Sequence, residues 1–219
     1  MYSYLNRAAI NSGLSANINL IYGKIDRENV IRKIEQLVIE PDDVVVVYFA
    51  MHGYRFREKA SIWPNIFFGE SDNGLEMEYI ISKIRYKKPR MFMAIADSCN
   101  SYVRKDSIST KRALSGINAM AEKENFKKLF LNYSGSIIAC GAIPGQSSWG
   151  NDVVGGYMTA SLIESLKDVL SRESTEDVSW EAIFTQIEGR IEKFMNPYGN
   201  DDPIVQTPQI QIELQQINS

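Results

Sequence analysis

The chain contains one histidine, and it stands directly after a long apolar run. That run covers residues 44–51, and His52 follows it. A second apolar run, residues 91–96, leads into Asp97 and Ser98, and Cys99 then stands 47 residues after the histidine. A thiol is a good nucleophile at neutral pH when a base takes its proton, and imidazole is the side chain best suited to that exchange. The two residues are therefore a candidate site for nucleophilic chemistry at a cysteine.

Both apolar runs have the composition of buried β-strands, so His52 and Cys99 each follow the end of a predicted strand. Reactive groups in an open parallel sheet lie beyond the carboxyl ends of its strands. Two neighbouring strands would therefore bring the imidazole and the thiol together. Gly53 leaves its backbone N–H open to approach, and together with the N–H of Cys99 it could hold the oxygen of a tetrahedral intermediate. We expect an oxyanion hole at these two groups.

The apolar runs alternate with segments of helical period, which is typical of an α/β domain around a mostly parallel sheet. Gly13 is expected to end the first helix and Asp26 to cap the second. Helices are predicted at 2–12, 26–38, 76–84, 156–170 and 178–194, and another resumes near residue 122. Strands are predicted at 17–22, 44–51, 91–96 and 136–142, and a last one within 204–214. The strand at 44–51 is apolar on both faces, so we expect both faces to be covered.

Composition narrows the classes of function. A mass of 24.8 kDa fits a single domain, residues 1–219. No apolar run reaches the ~18 residues that span a bilayer, and the N-terminus has no signal-peptide core, so we expect no membrane insertion and a cytoplasmic location. Two cysteines and one histidine cannot build a disulfide framework or a zinc cluster, and Cys140 is expected to pack in the core. A net charge of -3 without a basic stripe argues against nucleic-acid binding.

Several motifs, in chain order, carry a resemblance to a known family. They are His52-Gly53, Asp97-Ser98-Cys99, the segment 139–149 that ends in Pro144-Gly145-Gln146-Ser147-Ser148-Trp149, Gly155-Gly156 before a helix, and Gln206-Thr207-Pro208-Gln209. Together they resemble the caspase and metacaspase superfamily of cysteine peptidases, in which the caspase histidine precedes the cysteine by about 50 residues. The resemblance extends from about residue 26 to residue 214.

This resemblance implies a three-layer α/β/α sandwich around a mostly parallel central sheet. It divides the chain into a large-subunit-like part, 1–102, a linker loop, 103–120, and a small-subunit-like part, 121–219. It also implies a cysteine endopeptidase in which Cys99 attacks the substrate and His52 acts as acid and base. In that family a strand precedes the first helix. This chain begins at a segment similar to that helix, so we expect the first strand to be missing.

Two departures from the caspase pattern concern the pocket for the substrate residue before the cut. Caspases hold an aspartate there with a glutamine and an arginine, and the matching positions here are Asp97 and Gly150. An acidic pocket without the arginine favours a cation, as in metacaspases, so we expect cleavage after Arg and then Lys. Ser148 is expected to bind an extended substrate with its backbone, and Trp149 to form a subsite wall. The alternatives are that Asp97 caps a loop and that Trp149 is a core aromatic.

The linker loop carries basic residues that fit the same specificity: Arg104, Lys105, Lys111 and Arg112. We expect self-cleavage there, with a plain surface loop as the alternative. No cofactor is expected to be required. The metacaspase resemblance raises activation by Ca²⁺, for which Glu70, Asp72 and Asp106 are loop carboxylates without an EF-hand pattern.

The expected partner is a protein or peptide substrate, and the sequence leaves the oligomeric state open. Two other functions also stay open. One is a catalytically silent caspase-like scaffold that binds protein partners. The other is a different cysteine hydrolase, such as an amidase that acts on small substrates.

Overall fold

The computed structural model describes residues 1–23, 25–69, 74–102, 120–196 and 205–217. The helices are α1 (Tyr2–Ser12), α2 (Arg27–Gln36), α3 (Met77–Tyr86), α4 (Met120–Leu131), α5 (Tyr157–Leu170), α6 (Trp180–Phe184) and α7 (Ile187–Met195), and a 3-10 helix spans Thr175–Asp177. The strands are β1 (Val44–Ala50), β2 (Gly53–Tyr54), β3 (Asn65–Ile66), β4 (Leu75–Glu76), β5 (Met91–Asp97), β6 (Tyr133–Cys140), β7 (Gly150–Asn151), β8 (Gly155–Gly156) and β9 (Gln209–Gln216).

The main sheet joins β1, β5, β6 and β9 in that order. β1 and β6 both pair with β5 in parallel, and β9 pairs with β6 in the antiparallel direction. Every residue of β5 is buried, which explains its continuous apolar sequence over residues 91–96. The register places Ala50 opposite Asp97 and Ala96 opposite Cys140, so β1, β5 and β6 end at the same edge of the sheet. The predicted mostly parallel sheet is confirmed.

Helices cover both faces of this sheet and create three layers. One hydrophobic cluster contains side chains of α1, α4, α5, α6 and α7, and the other contains side chains of α2 and α3. Val46 of β1 packs against the first cluster and Val47 against the second, as the two-residue period of a strand requires. The predicted three-layer α/β/α architecture is confirmed.

β1 is an edge strand, because no strand in the described part of the chain pairs with its outer side. Residues 44–49 are only half-buried, and Ala50 is exposed. Side chains on both faces of β1 contact the core, as expected, but these residues are not fully buried because the outer edge of the strand has no neighbour among the described residues. The family resemblance implies a further strand before the first helix, which this chain is expected to lack. None of the described residues forms a strand beside β1.

The predicted strand at 17–22 is wrong, because the structure is irregular there. Leu20 and Tyr22 are exposed. A strand needs partners for its backbone N–H and C=O groups, and its preference for strand structure depends on packing against neighbours. The main sheet offers this segment no paired neighbour among the described residues, so its β-branched and aromatic side chains do not decide its conformation.

The predicted helix at 178–194 is interrupted at residues 185–186, which separate α6 from α7. The side-chain Nε2 of Gln186 donates to the carbonyl oxygen of Ala182 at 2.9 Å. In a regular helix that carbonyl would accept from the backbone N–H of Gln186, which instead donates to Ile183 O at 3.4 Å. A side chain thus competes with the backbone for one carbonyl and tightens the turn.

The predicted helix ends and caps near the N-terminus are confirmed. Gly13 follows α1 in the left-handed conformation, with φ 73°, and its N–H donates to carbonyl oxygens of the last turn. Asp26 precedes α2, and its Oδ1 accepts from the backbone N–H of Asn29 at 2.7 Å. Local signals of this kind are readable in sequence because the donor and acceptor lie within one turn of each other.

Candidate active site

His52 and Cys99 lie at the same edge of the sheet. Ala50 and Asp97 are opposite each other in the parallel register, and the two candidate residues follow them by two positions. The backbone N–H of Met51 donates to Asp97 O at 3.3 Å, which extends the pairing beyond β1. His52 is exposed and Cys99 is half-buried. The topology therefore brings the imidazole-bearing and thiol-bearing segments together, as the sequence predicts.

Gly53 lies against the segment that carries the thiol. A Cβ atom at this position would be 2.3 Å from the carbonyl oxygen of Cys99 and 2.9 Å from Cβ of Ser98. Both distances are shorter than any real Cβ contact, so a side chain would force the two loops apart. The glycine after His52 is therefore needed for the close approach of the two segments.

A small antiparallel sheet holds the His52 segment in place. β2 begins directly after His52 and pairs with β3, which pairs with β4. The carbonyl oxygen of His52 accepts from the backbone N–H of Phe67 at 2.9 Å. The backbone at the histidine is thus anchored by main-chain bonds, while the imidazole itself stays exposed.

The sulfur of Cys99 contacts the backbone of Ser148. The N–H of Ser148 donates to Sγ at 3.3 Å, and Sγ–H donates to the carbonyl oxygen of Ser148 at 3.5 Å. Hydrogen bonds between catalytic groups are often long before a substrate binds and tighten only in the complex. Ser148, expected as a substrate-binding residue, therefore lies directly at the thiol.

Asp97 contacts Ser148, and both oxygens of its carboxyl group accept hydrogen bonds from the protein. The residue is 9 % exposed. Its Oδ1 accepts from the hydroxyl of Ser148 at 3.0 Å, and Oδ2 accepts from the backbone N–H and the hydroxyl of Thr159 at 2.9 and 2.5 Å. Burial raises the pKa of this carboxyl group above its ordinary value, and the hydrogen bonds from Thr159 and Ser148 oppose that rise.

This arrangement makes Asp97 a cap for a helix that is distant in sequence. Thr159 lies in the first turn of α5, and Gly156, the N-cap residue of that helix, has no side chain with which to cap it. Asp97 supplies the missing acceptor from the end of β5. Tyr48 extends the network, because its hydroxyl lies 2.6 Å from Oγ1 of Thr159. The capping role that the sequence left open is thus present, but it serves a helix and not the loop after β5.

Gln206 positions the Ser148–Trp149 segment, and sequence reasoning did not assign it a role. Its Oε1 accepts from the backbone N–H of Trp149 at 2.8 Å, and its Nε2 donates to Gly141 O at 2.8 Å and to the hydroxyl of Ser148 at 3.1 Å. The residue is buried. Its place in the Gln206-Thr207-Pro208 motif was the available signal. Trp149 is 37 % exposed and so is not a core aromatic.

Cys140 lies apart from this chemistry. Its side chain is completely buried at the end of β6, as the sequence predicts. Burial raises the pKa of its thiol to about 12, although a hydrogen bond involving the backbone of Ala142 opposes that effect. A thiol held in the neutral form inside the core is a poor nucleophile.

Some predicted site residues lie outside the described part of the chain. They are Arg104, Lys105, Lys111 and Arg112 of the predicted linker, and Glu70, Asp72 and Asp106. Among the residues that the structure describes, no three His, Cys, Asp or Glu side chains converge as a metal site would require. None of the described helices combines the length and the apolar composition of a membrane span.

Comparisons with known proteins agree with this architecture. The chain is similar in structure to caspase-1 from Spodoptera frugiperda, with a TM-score of 0.59, 14% sequence identity, and coverage of 96% of this chain and 77% of that one. At such identity the similarity concerns the fold alone. No curated protein matches the chain. A family model described as a caspase domain matches residues 16–216, which is most of the sequence. The chain therefore belongs to the caspase domain family of cysteine peptidases.

Proposed function

We propose that the protein is a cysteine endopeptidase that uses Cys99 and His52 as a catalytic dyad. The observation that carries this proposal is the parallel register of β1 and β5, in which Ala50 is opposite Asp97. It brings the residues that follow these two strands to one edge of the sheet. The tight contact of Gly53 with the carbonyl oxygen of Cys99 supports the same arrangement.

In the proposed reaction, His52 takes the proton of the Cys99 thiol, and the sulfur attacks the carbonyl carbon of the scissile peptide bond. The N–H groups of Gly53 and Cys99 stabilise the resulting oxyanion. The C–N bond then breaks, His52 returns the proton to the leaving amine, and a thioester remains on Cys99. His52 deprotonates a water molecule that attacks the thioester, and the released thiolate takes back the proton.

The substrate backbone binds at Ser148. The N–H and C=O groups of Trp149 are already used by Gln206 and by the N–H of Tyr157. Within the described part of the chain, the backbone N–H and C=O groups of Ser148 are hydrogen-bonded only to the Cys99 sulfur. An extended substrate therefore displaces the sulfur from Ser148 and turns it towards the scissile bond, while the exposed Trp149 ring flanks the substrate.

Asp97 selects a basic residue before the cut, with Arg preferred to Lys. Its Oδ1 accepts one protein hydrogen bond, from Ser148, and a carboxylate oxygen can accept two. A guanidinium that reaches Oδ1 offers a charge-assisted hydrogen bond and favours the ionised carboxylate, against the effect of burial. Lys brings the same charge without the planar fork, and so ranks second.

The dyad is tested with fluorogenic peptides that end in Arg, Lys or Asp. Cys99→Ala is expected to lower kcat/KM by at least roughly 10³-fold, because it removes the proposed nucleophile. His52→Ala is expected to have an effect of the same size, because the chain contains no second imidazole. Cys140→Ala is the matched control, since that thiol is buried in the core. Wild-type protein that cleaves no peptide, with Ca²⁺ or with a chelator, contradicts the proposal. Preferred cleavage after Asp refutes the role of Asp97 and leaves the dyad intact.

Self-cleavage in the linker, at Arg104, Lys105, Lys111 or Arg112, follows from the same specificity. Intact-mass spectrometry of the wild-type protein over time reports it, with the Cys99→Ala variant as the inactive control. Fragments that begin after those residues support self-cleavage. A wild-type mass that stays unchanged, while added peptide is cleaved, contradicts it. Parallel incubations with Ca²⁺ and with a chelator test the proposed calcium activation.

A second candidate function is a catalytically silent scaffold that binds protein partners. One observation favours it: the hydrogen bonds of the Cys99 sulfur go to the backbone of Ser148. If that contact persists when a peptide is bound, the thiol cannot attack. Cys99→Ala separates the two functions. A peptidase loses peptide cleavage with this substitution, whereas a scaffold binds its partners equally well with and without the thiol.

A further inference from the structure

Arg55 is a buried cation that has no carboxylate partner among the residues the structure describes. The residue is 5 % exposed, and none of the ion pairs in the described part of the chain includes it. A buried charge is costly unless hydrogen bonds replace its hydration. Arg55 stands three residues after His52. The buried charge of Arg55 therefore lies close in sequence to the proposed base, despite the free-energy cost of its burial.

The two terminal nitrogens of the guanidinium donate to oxygen atoms of one loop and one amide, whereas its buried Nε has no hydrogen-bond partner among the described residues. Nη2 donates to the carbonyl oxygens of Lys59 and Ser61 at 2.9 and 3.0 Å. Nη1 donates to Ile62 O at 3.5 Å and to Oδ1 of Asn100 at 3.3 Å. The loop that follows β2 is therefore wrapped around the Arg55 side chain. Only a planar group with several fixed donors can hold acceptors in this arrangement.

Asn100 joins that loop to the segment behind the thiol. It follows Cys99 directly and is completely buried. Its Nδ2 donates to Ile62 O at 2.9 Å and to Ala142 O at 3.1 Å. Its backbone N–H donates to Gln146 O at 3.0 Å, and its carbonyl oxygen accepts from Gly145 N at 2.8 Å. The segment fixed in this way leads within a few residues to Ser148, which contacts the Cys99 sulfur.

Main-chain hydrogen bonds connect the same two segments as these side-chain hydrogen bonds. The N–H of Arg55 donates to the carbonyl oxygen of Ser101 at 2.9 Å, and Arg55 forms an isolated bridge with Tyr102. The backbone after His52 is thus tied to the backbone after Cys99. The Arg55–Asn100 contact adds a second connection, between side chains, a short distance along the chain from both reactive groups.

We infer that Arg55 and Asn100 are positioning residues, which hold the His52 segment and the Cys99 segment in the relative placement that proton transfer between imidazole and thiol requires. This inference rests on the proposed Cys99–His52 dyad. Neither residue touches the reacting atoms in the structure, so their effect passes through the two loops. A misplacement of about 1 Å in such a pair can cost on the order of 10²-fold in rate.

The test compares Arg55→Met with Arg57→Met as a matched control. Arg57 is exposed and its guanidinium lies 4.6 Å from the centre of the Tyr102 ring, outside the proposed machinery. With an Arg-terminated peptide, Arg55→Met is expected to lower kcat by about 10²-fold with little change in KM. Arg55→Lys keeps the charge and some donors, so it is expected to be intermediate and to fold even if Arg55→Met does not.

A second readout does not need peptide cleavage. Alkylation of Cys99 by iodoacetamide, followed by peptide mass spectrometry across a pH series, reports how readily the thiol loses its proton. The wild-type protein is expected to react faster at low pH than either Arg55 variant, by about 10-fold, because the imidazole no longer assists in the variants. Asn100→Asp, which removes the two amide donors and keeps the side-chain shape, is expected to shift the profile in the same direction.

An alkylation profile that is the same in the wild-type protein and in folded Arg55→Lys overturns the inference. A loss of thermal stability alone, with kcat and the alkylation profile unchanged, assigns Arg55 to folding only and also overturns it. If the wild-type protein cleaves no peptide but its alkylation profile still differs from that of the variants, the proposed peptidase function fails and the positioning role stands.

Discussion

The proposed chemistry depends on a few side chains whose surroundings differ sharply. His52 is exposed and keeps access to solvent, whereas Asp97, two residues before the nucleophile, is buried and bound by three hydrogen bonds. Cys140 is also a thiol, but burial keeps it in the neutral form. At this scale, the difference between the proposed nucleophile and the core cysteine is that Cys99 follows the end of β5, whereas Cys140 is the buried last residue of β6.

Asp97 makes stability depend on pH in a direction that is unusual for an aspartate. Burial raises its pKa in the folded protein above the ordinary 3.8, so the folded state binds the proton more tightly than the unfolded state. The resulting stabilisation is complete below the unfolded pKa and is lost as the pH rises through the folded pKa. We therefore expect the free energy of unfolding of the wild-type protein, relative to Asp97→Asn, to fall as the pH increases.

Urea unfolding of both proteins between about pH 4 and about pH 8 measures this difference, because asparagine does not titrate in that range. The other titratable groups are shared by the two proteins and largely cancel. A difference that grows with pH would mean that the hydrogen bonds from Thr159 and Ser148 stabilise the ionised form more than burial opposes it.

At the scale of elements, the start of α5 is built against the end of β5. Gly156 is the N-cap residue of α5, and its φ of -66° is accessible to any L-residue. A Cβ there would nevertheless lie 2.1 Å from Oδ2 of Asp97. The position is therefore closed to larger residues by packing and not by backbone conformation.

Gly156→Ala is accordingly expected to destabilise the fold by roughly 1–3 kcal/mol, because the new methyl group must displace the Asp97 carboxylate. Gly189→Ala is the matched control. Gly189 lies in α7, and a Cβ there meets no atom within 4 Å, so alanine should stabilise the helix by up to about 1 kcal/mol. Urea unfolding of the two variants gives both values, and equal effects of the two substitutions would contradict the close contact.

At the scale of the whole molecule, the residues before position 103 and those from position 120 onwards share one core. α1 packs against α4, and both contribute to the cluster that covers one face of the sheet. Arg7 of α1 forms an ion pair with Glu122 of α4, whose side chain is only 2% exposed. That contact joins positions 115 residues apart.

Arg7→Met is expected to lower the free energy of unfolding by roughly 3 kcal/mol, because it leaves the Glu122 carboxylate buried without its partner. The double variant Arg7→Met with Glu122→Met should recover most of that loss, since two apolar side chains need no partner. Urea unfolding of the four proteins in a double-mutant cycle measures the coupling. A fully additive cycle would show that the pair is not coupled in solution.

Much of the scaffold could be predicted from local sequence. β5 is recognisable because a strand buried on both faces must be apolar throughout, and Asp26 and Gly13 mark helix ends because their bonds close within one turn. His52 and Cys99 could be placed at one edge for the same reason: each follows a strand whose type and direction are readable. The irregular segment at 17–22 could not be predicted, because a strand needs a paired neighbour.

The sequence by itself therefore determined the candidate reactive pair, the strands that carry it and the family to which the chain belongs. Only the tertiary structure decided that Asp97 caps α5, that Gln206 holds Trp149, and that Arg55 and Asn100 connect the segments that follow His52 and Cys99. These bonds join residues 45 to 62 positions apart in the chain. The physical reason is that a hydrogen bond between distant segments leaves no periodic or neighbouring signal, so its two partners are identified only after the sheet has brought them together.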